Sequence, residues 1–70
     1  MSNKYLTQNI DRLDIPTRAI DLLKENGIEK IEQLCDKKRT YLKNLGLNSI
    51  EIDKLVIELQ LLGLNINSNY

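Results

Sequence analysis

The 70-residue sequence has no histidine, no tryptophan and no phenylalanine, with a single cysteine and a single proline. Absence of histidine removes the commonest general base, the usual zinc nitrogen ligand and any Cys–His nucleophile pair. A single cysteine, Cys35, excludes an intrachain disulfide and fits a reducing compartment. Without Phe or Trp, the core has to be built from Leu, Ile and Val, with tyrosine as its only aromatic. Charge of one sign is also missing: ten basic side chains face ten acidic ones, a formal net charge of zero. A dedicated nucleic-acid backbone binder usually carries a basic excess, so the easiest argument for that function fails. No apolar run approaches membrane-spanning length, and the opening MSNKYLTQ has no signal-like apolar stretch. A soluble, cytoplasmic protein is the expectation.

What is present is helical grammar. A chain this short buries only about 60% of the surface its unfolded form exposes, which leaves room for one small domain. Residues 1–9 are polar apart from Tyr5 and Leu6, and a loosely ordered start is expected there. Ile10, Leu13 and Ile15 lead to Pro16, which opens a first helix to about Glu25, because a proline N–H would have had no intrahelical partner in a first turn. Ala19, Ile20 and Leu23 recur at helical spacing, and Asn26-Gly27 stops the helix. Ile28, Ile31 and Leu34 give a short second helix. A third, from Thr40 to Leu45, turns Leu42 and Leu45 inward, with Tyr41 either covering the core edge or facing solvent.

After Gly46, Asn48 with Glu51 three residues on fits a capping box, in which each side chain bonds the other's backbone N–H. The fourth helix should run from Ser49 to Leu61 or Leu62, burying Ile52, Leu55, Val56, Leu59 and Leu62. Ile50 and Ile57 fall off this stripe, so either the stripe is broad or one of them is exposed. Gly63 ends the helix, Leu64 and Ile66 fold back, and residues 67–70 are expected to fray. The fold class is all-α, one domain over residues 10–66, with Ile20, Leu23, Ile31, Leu34, Leu45, Leu55 and Leu59 as its core.

Catalytic chemistry has no visible carrier. The carboxylate pairs Asp11/Asp14 and Glu29/Glu32 read as solubilising surface, no metal-ligand or phosphate-loop spacing occurs, and no cofactor is expected. Cys35 reads as a small, partly buried apolar residue. Recognition remains. Two helix N-termini, each preceded by a turn, offer backbone N–H groups to phosphate oxygens. Arg18 adds a fork of donors to the first. Gly46, Asn48 and Ser49 form the second, and the basic run Lys37, Lys38, Arg39 and Lys43 lies just before it.

From Ile10 to Ile66 the sequence resembles the C-terminal domain of the bacterial RNA polymerase alpha subunit. The resemblance rests on I-x-x-L-x-I-P-T-R-A, L-K-E-N-G-I-x-x-I-x-Q-L, L-K-N-L-G-x-x-S and the closing L-x-x-L-G-L. It implies a compact four-helix fold related to helix-hairpin-helix modules. It also implies binding to the minor groove of double-stranded A/T-rich DNA, positioned by phosphates and groove width, and contacts with RNA polymerase, sigma factor or a transcription regulator. The family's groove arginine falls on Arg18, and its glycine and serine on Gly46 and Ser49. Three positions depart: Asp21 replaces the usual asparagine, Leu22 is apolar where a contact is made, and Asn48 replaces a lysine. The segment from Gly46 to Gly63 is about two residues longer than the family norm.

The resulting expectation is a non-catalytic, transcription-associated DNA-binding domain, with Arg18, Lys43, Gly46, Asn48 and Ser49 at the DNA. The alternative is a protein-interaction module that kept the fold and changed the surface, with Asp21 and an exposed Leu22 as protein contacts.

Overall fold

A computed structural model describes residues 4–67. Two short 3-10 helices, Lys4–Thr7 and Ile10–Arg12, precede α1 (Thr17–Glu25), α2 (Ile31–Cys35), α3 (Arg39–Asn44) and α4 (Ser49–Leu61). Among the described residues the only extended pairing is an isolated antiparallel bridge between Asn9 and Lys30. The Cα radius of gyration is 10.9 Å, close to the roughly 11 Å expected for a compact protein of this length.

Several helix boundaries have a local cause. Pro16 precedes α1 as its cap residue, and its carbonyl accepts from the N–H groups of Ala19 and Ile20 at 3.0 and 3.2 Å. At the start of α2, the Gln33 side-chain oxygen accepts the backbone N–H of Glu29 and of Lys30, both at 2.9 Å. The ends of α1, α3 and α4 repeat one closure. The residue after the glycine donates back across the turn, Ile28 to Leu23 at 2.9 Å, Leu47 to Leu42 at 3.3 Å and Leu64 to Leu59 at 2.8 Å. This six-residue closure satisfies carbonyls that the helix end leaves open, and it needs a left-handed residue at its centre.

Leu23, Ile31, Leu34, Leu55 and Leu59 are completely buried, and Ile10, Ala19, Leu42 and Ile52 join them. Two expected core residues, Ile20 and Leu45, are instead half-buried at its rim. For Leu45 the reason is the turn: α3 stops at Asn44, and the backbone reverses through Gly46 so that Leu47 enters the core. Ile50 and Ile57 are both exposed, at 78% and 54%.

Ahead of α1, the 3-10 turn Lys4–Thr7 leads into a segment bonded to the approach of α2. Ile10 N–H donates to the Glu29 carbonyl and Ile31 N–H to the Gln8 carbonyl, each at 2.9 Å, which stitches residues 8–10 to the approach of α2. At the other end Ile66 is buried, and Asn67 N–H donates to the Lys37 carbonyl at 2.9 Å. Residues 1–3 and 68–70, including most of the expected fraying tail, lie outside the described residues.

Candidate nucleic-acid interface

The two helix starts singled out in the sequence meet at one side chain. Arg18 sits in the first turn of α1. Its Nη1 donates to Glu51 Oε1 and its Nη2 donates to the Gly46 carbonyl at 2.8 Å. The arginine side chain is nonetheless 58% exposed, whereas that of Glu51 is only 9% exposed. A guanidinium has five N–H donors in a fixed fork, so after these two bonds three donor hydrogens remain for solvent or a ligand.

Glu51 completes the second half of the arrangement. Asn48 N–H donates to Glu51 Oε1 at 3.0 Å, and Glu51 N–H donates to Asn48 Oδ1 at 2.8 Å, which closes the capping box of α4. One carboxylate oxygen therefore serves both the cap and Arg18. The Arg18 side chain and then the Asn48 backbone N–H hold the Glu51 carboxyl below the usual glutamate range, against the opposing effect of burial. Asn48 is exposed, with its oxygen committed to the cap.

Gly46 lies at the centre of this junction with φ at +114°. A Cβ built there would stand 3.7 Å from Leu22 Cδ1. Leu22 is thus laid against the Gly46 turn and half-buried on the core rim, and it is not the largely exposed contact expected from its sequence position. Asp21 is exposed and makes no ion pair among the described residues. Ser49 is the exposed first residue of α4. Lys43, in the last turn of α3, is exposed, and its carbonyl accepts the Gly46 N–H at 3.0 Å, so its side chain departs from beside the same turn.

The basic run divides. Arg39 pairs with Asp53 of α4 at 2.9 Å, and the half-buried Lys37 lies 5.0 Å from the centre of the Tyr41 ring. Lys38 and Lys43 make no ion pair among the described residues. At the junction itself, Arg18 and Lys43 are balanced by Asp21 and Glu51, so the four formal charges cancel. Cys35 is half-buried, and burial pushes its thiol up, outweighing the hydrogen bond from Asn65. It stays protonated and inert at neutral pH.

Sequence spacing identifies Glu51 as a capping residue but gives no sign of its bond to Arg18. No local pattern signals that bond, because the two residues lie 33 positions apart. Among the described residues, no group of three or more His, Cys, Asp or Glu side chains is placed to hold a metal ion. No helix there is long and apolar enough to cross a membrane.

Comparison with known proteins identifies the family. Residues 1–58 match the family model for the C-terminal domain of the bacterial RNA polymerase alpha subunit. That match takes in the stitched N-terminal segment and stops inside α4. The sequence is 36% identical over 69 residues to the DNA-directed RNA polymerase subunit alpha of Mycoplasmoides gallisepticum, an alignment spanning 93% of the present protein and 21% of that one. The alpha subunits of Macrococcus caseolyticus and Staphylococcus aureus are each 36% identical over 64 residues, spanning 87% of the present protein and 20% of theirs. The protein therefore spans about a fifth of the length of the curated relatives it matches. With four helices, glycine-closed turns and both turn-to-helix junctions in place, it belongs to the family of C-terminal domains of the bacterial RNA polymerase alpha subunit, a non-catalytic, helix-hairpin-helix related fold.

Proposed function

We propose that the protein binds A/T-rich double-stranded DNA, entering the minor groove with Arg18 and holding flanking phosphates with the start of α4. The observation that carries this reading is the double hold on Arg18 by Glu51 and the Gly46 carbonyl. It fixes the guanidinium between the two helix starts while its outer donors stay free. Narrow A/T-rich minor grooves concentrate negative potential and attract arginine. Backbone N–H groups at the start of α4, with Ser49 and the Asn48 amide, suit phosphate oxygens. Lys43 adds charge from the neighbouring turn.

Because Asp21 and Glu51 cancel much of this positive charge, the binding is weak and involves few phosphates, which gives a shallow salt dependence. Family membership supports a role in bacterial transcription in the cytoplasm, with RNA polymerase, sigma factor or a transcription regulator as protein partners. Titration of a labelled A/T-rich duplex with wild type and Arg18→Ala at two salt concentrations tests the reading. Affinity should fall about tenfold or more on mutation and decline with salt. Equal affinity of the two proteins would sink the Arg18 assignment.

A further inference from the structure

Arg39 and Lys43 stand four positions apart on α3 and share one of its faces. That face is turned to α4, because Arg39 Nη2 donates to Asp53 Oδ1 at 2.9 Å. Tyr41, two positions on from Arg39, lies on the other side and holds Lys37 over its ring. Arg39 and Lys43 therefore form a short cationic track, separate from Lys37, that ends beside the Gly46 turn.

The track leads to the start of α4. Asp53 is one turn beyond Ser49 on the same exposed side of that helix, roughly 6 Å along its axis. The Arg39 guanidinium is thus held one turn behind the N–H groups that suit phosphate oxygens. Its pair with Asp53 is easily broken. Both side chains are open to solvent, 45% for Arg39 and 61% for Asp53, and an exposed pair of this kind is worth little. A phosphate offers the guanidinium fork two oxygens at once, and its neutralisation releases a condensed counterion as well. Arg39 makes the exchange by turning its own side-chain torsions, with α3 and α4 unmoved.

We propose that Arg39 is a further DNA contact, which leaves Asp53 for the phosphate next to the one held at the start of α4. Asp53 restrains it in the free protein, so the footprint extends along α3 only once a duplex is seated. The proposal rests on the DNA-binding reading of the junction between Arg18 and Gly46. It adds one phosphate to that footprint and no base contact.

Titration of a labelled A/T-rich duplex between about 50 and 200 mM salt tests it, with circular dichroism to establish that each variant keeps its helicity. Arg39→Ala should make the slope of log affinity against log salt shallower by about 0.9, the share of one phosphate. Its deficit in affinity should therefore be about threefold larger at the low-salt end than at the high-salt end. Lys37→Ala removes the same charge from beside Tyr41 and should leave the slope unchanged. Arg39→Lys should keep the wild-type slope, because a phosphate contact needs the charge. Asp53→Asn should raise affinity more in wild type than in the Arg39→Ala background, since only Arg39 is released by it. An Arg39→Ala slope equal to that of wild type or of Lys37→Ala overturns the proposal, as does an equal Asp53→Asn gain in both backgrounds. Arg18→Ala separates the two readings: if it loses affinity while Arg39→Ala does not, the junction stands and the α3 contact falls. Wild type that shows no salt-dependent binding overturns both.

Discussion

Arg18 of α1 and Glu51 of α4, 33 positions apart, share a hydrogen-bonded ion pair whose carboxylate oxygen also accepts the Asn48 backbone N–H. Fold and candidate DNA surface are therefore coupled through one acidic side chain. Removing it should act on both.

The first consequence is a pH-dependent stability. The folded-state pKa of Glu51 is depressed, first by Arg18 and then by the Asn48 N–H. Its contribution is therefore present above the unfolded pKa and lost as pH falls through the folded one. Glu51→Gln should lower stability by roughly 1 kcal/mol at pH 7, and its gap from wild type should shrink below about pH 4. Urea midpoints at pH 7 and pH 3 check this, and a gap that does not change with pH would contradict it.

Asp21 and Asn48 should separate DNA affinity from stability in opposite ways. Asp21 is exposed and makes no ion pair among the described residues, so Asp21→Asn removes a negative charge near Arg18 at no cost to the fold. Duplex affinity should rise while the melting temperature stays put. Asn48→Lys also adds positive charge but removes the oxygen that caps Glu51 N–H. It should bind DNA more tightly yet melt earlier, losing about 1 kcal/mol. Duplex titrations paired with thermal melts measure both.

Gly46→Ala isolates backbone strain. The added methyl would meet Leu22 Cδ1 at 3.7 Å, an ordinary contact, so space is not the obstacle. The backbone at φ +114° is the obstacle, since a side chain there is disfavoured by about 1–3 kcal/mol. A urea melt should show a loss in that range. An unchanged midpoint would mean that the turn adopts another conformation.

The core residues should divide sharply from the rim. Leu23 and Leu59 are completely buried, and changing either to Ala should cost about 2–5 kcal/mol, enough to unfold a domain this small. Leu45→Ala, at the half-buried rim, should leave a folded protein with a smaller loss. Comparable losses in urea melts of Leu45→Ala and Leu59→Ala would refute the division.

What the sequence determined by itself is local. Pro16 set the start of α1, Asn26-Gly27 its end, the Asn48–Glu51 box the start of α4 and Gly63 its close, because each rule acts within a few residues. Periodicity also identified Leu23, Leu55 and Leu59, since the buried stripe of a helix repeats along the sequence. Tertiary structure decided everything that depends on which faces meet. It placed Leu47 inside in place of Leu45, laid Leu22 against Gly46, and left both Ile50 and Ile57 in solvent. It also bound Arg18 to Glu51 and stitched residues 8–10 to α2. Spacing along a helix tells which side chains share a face, but only the packing of distant segments tells which face is covered and which charges come within bonding distance.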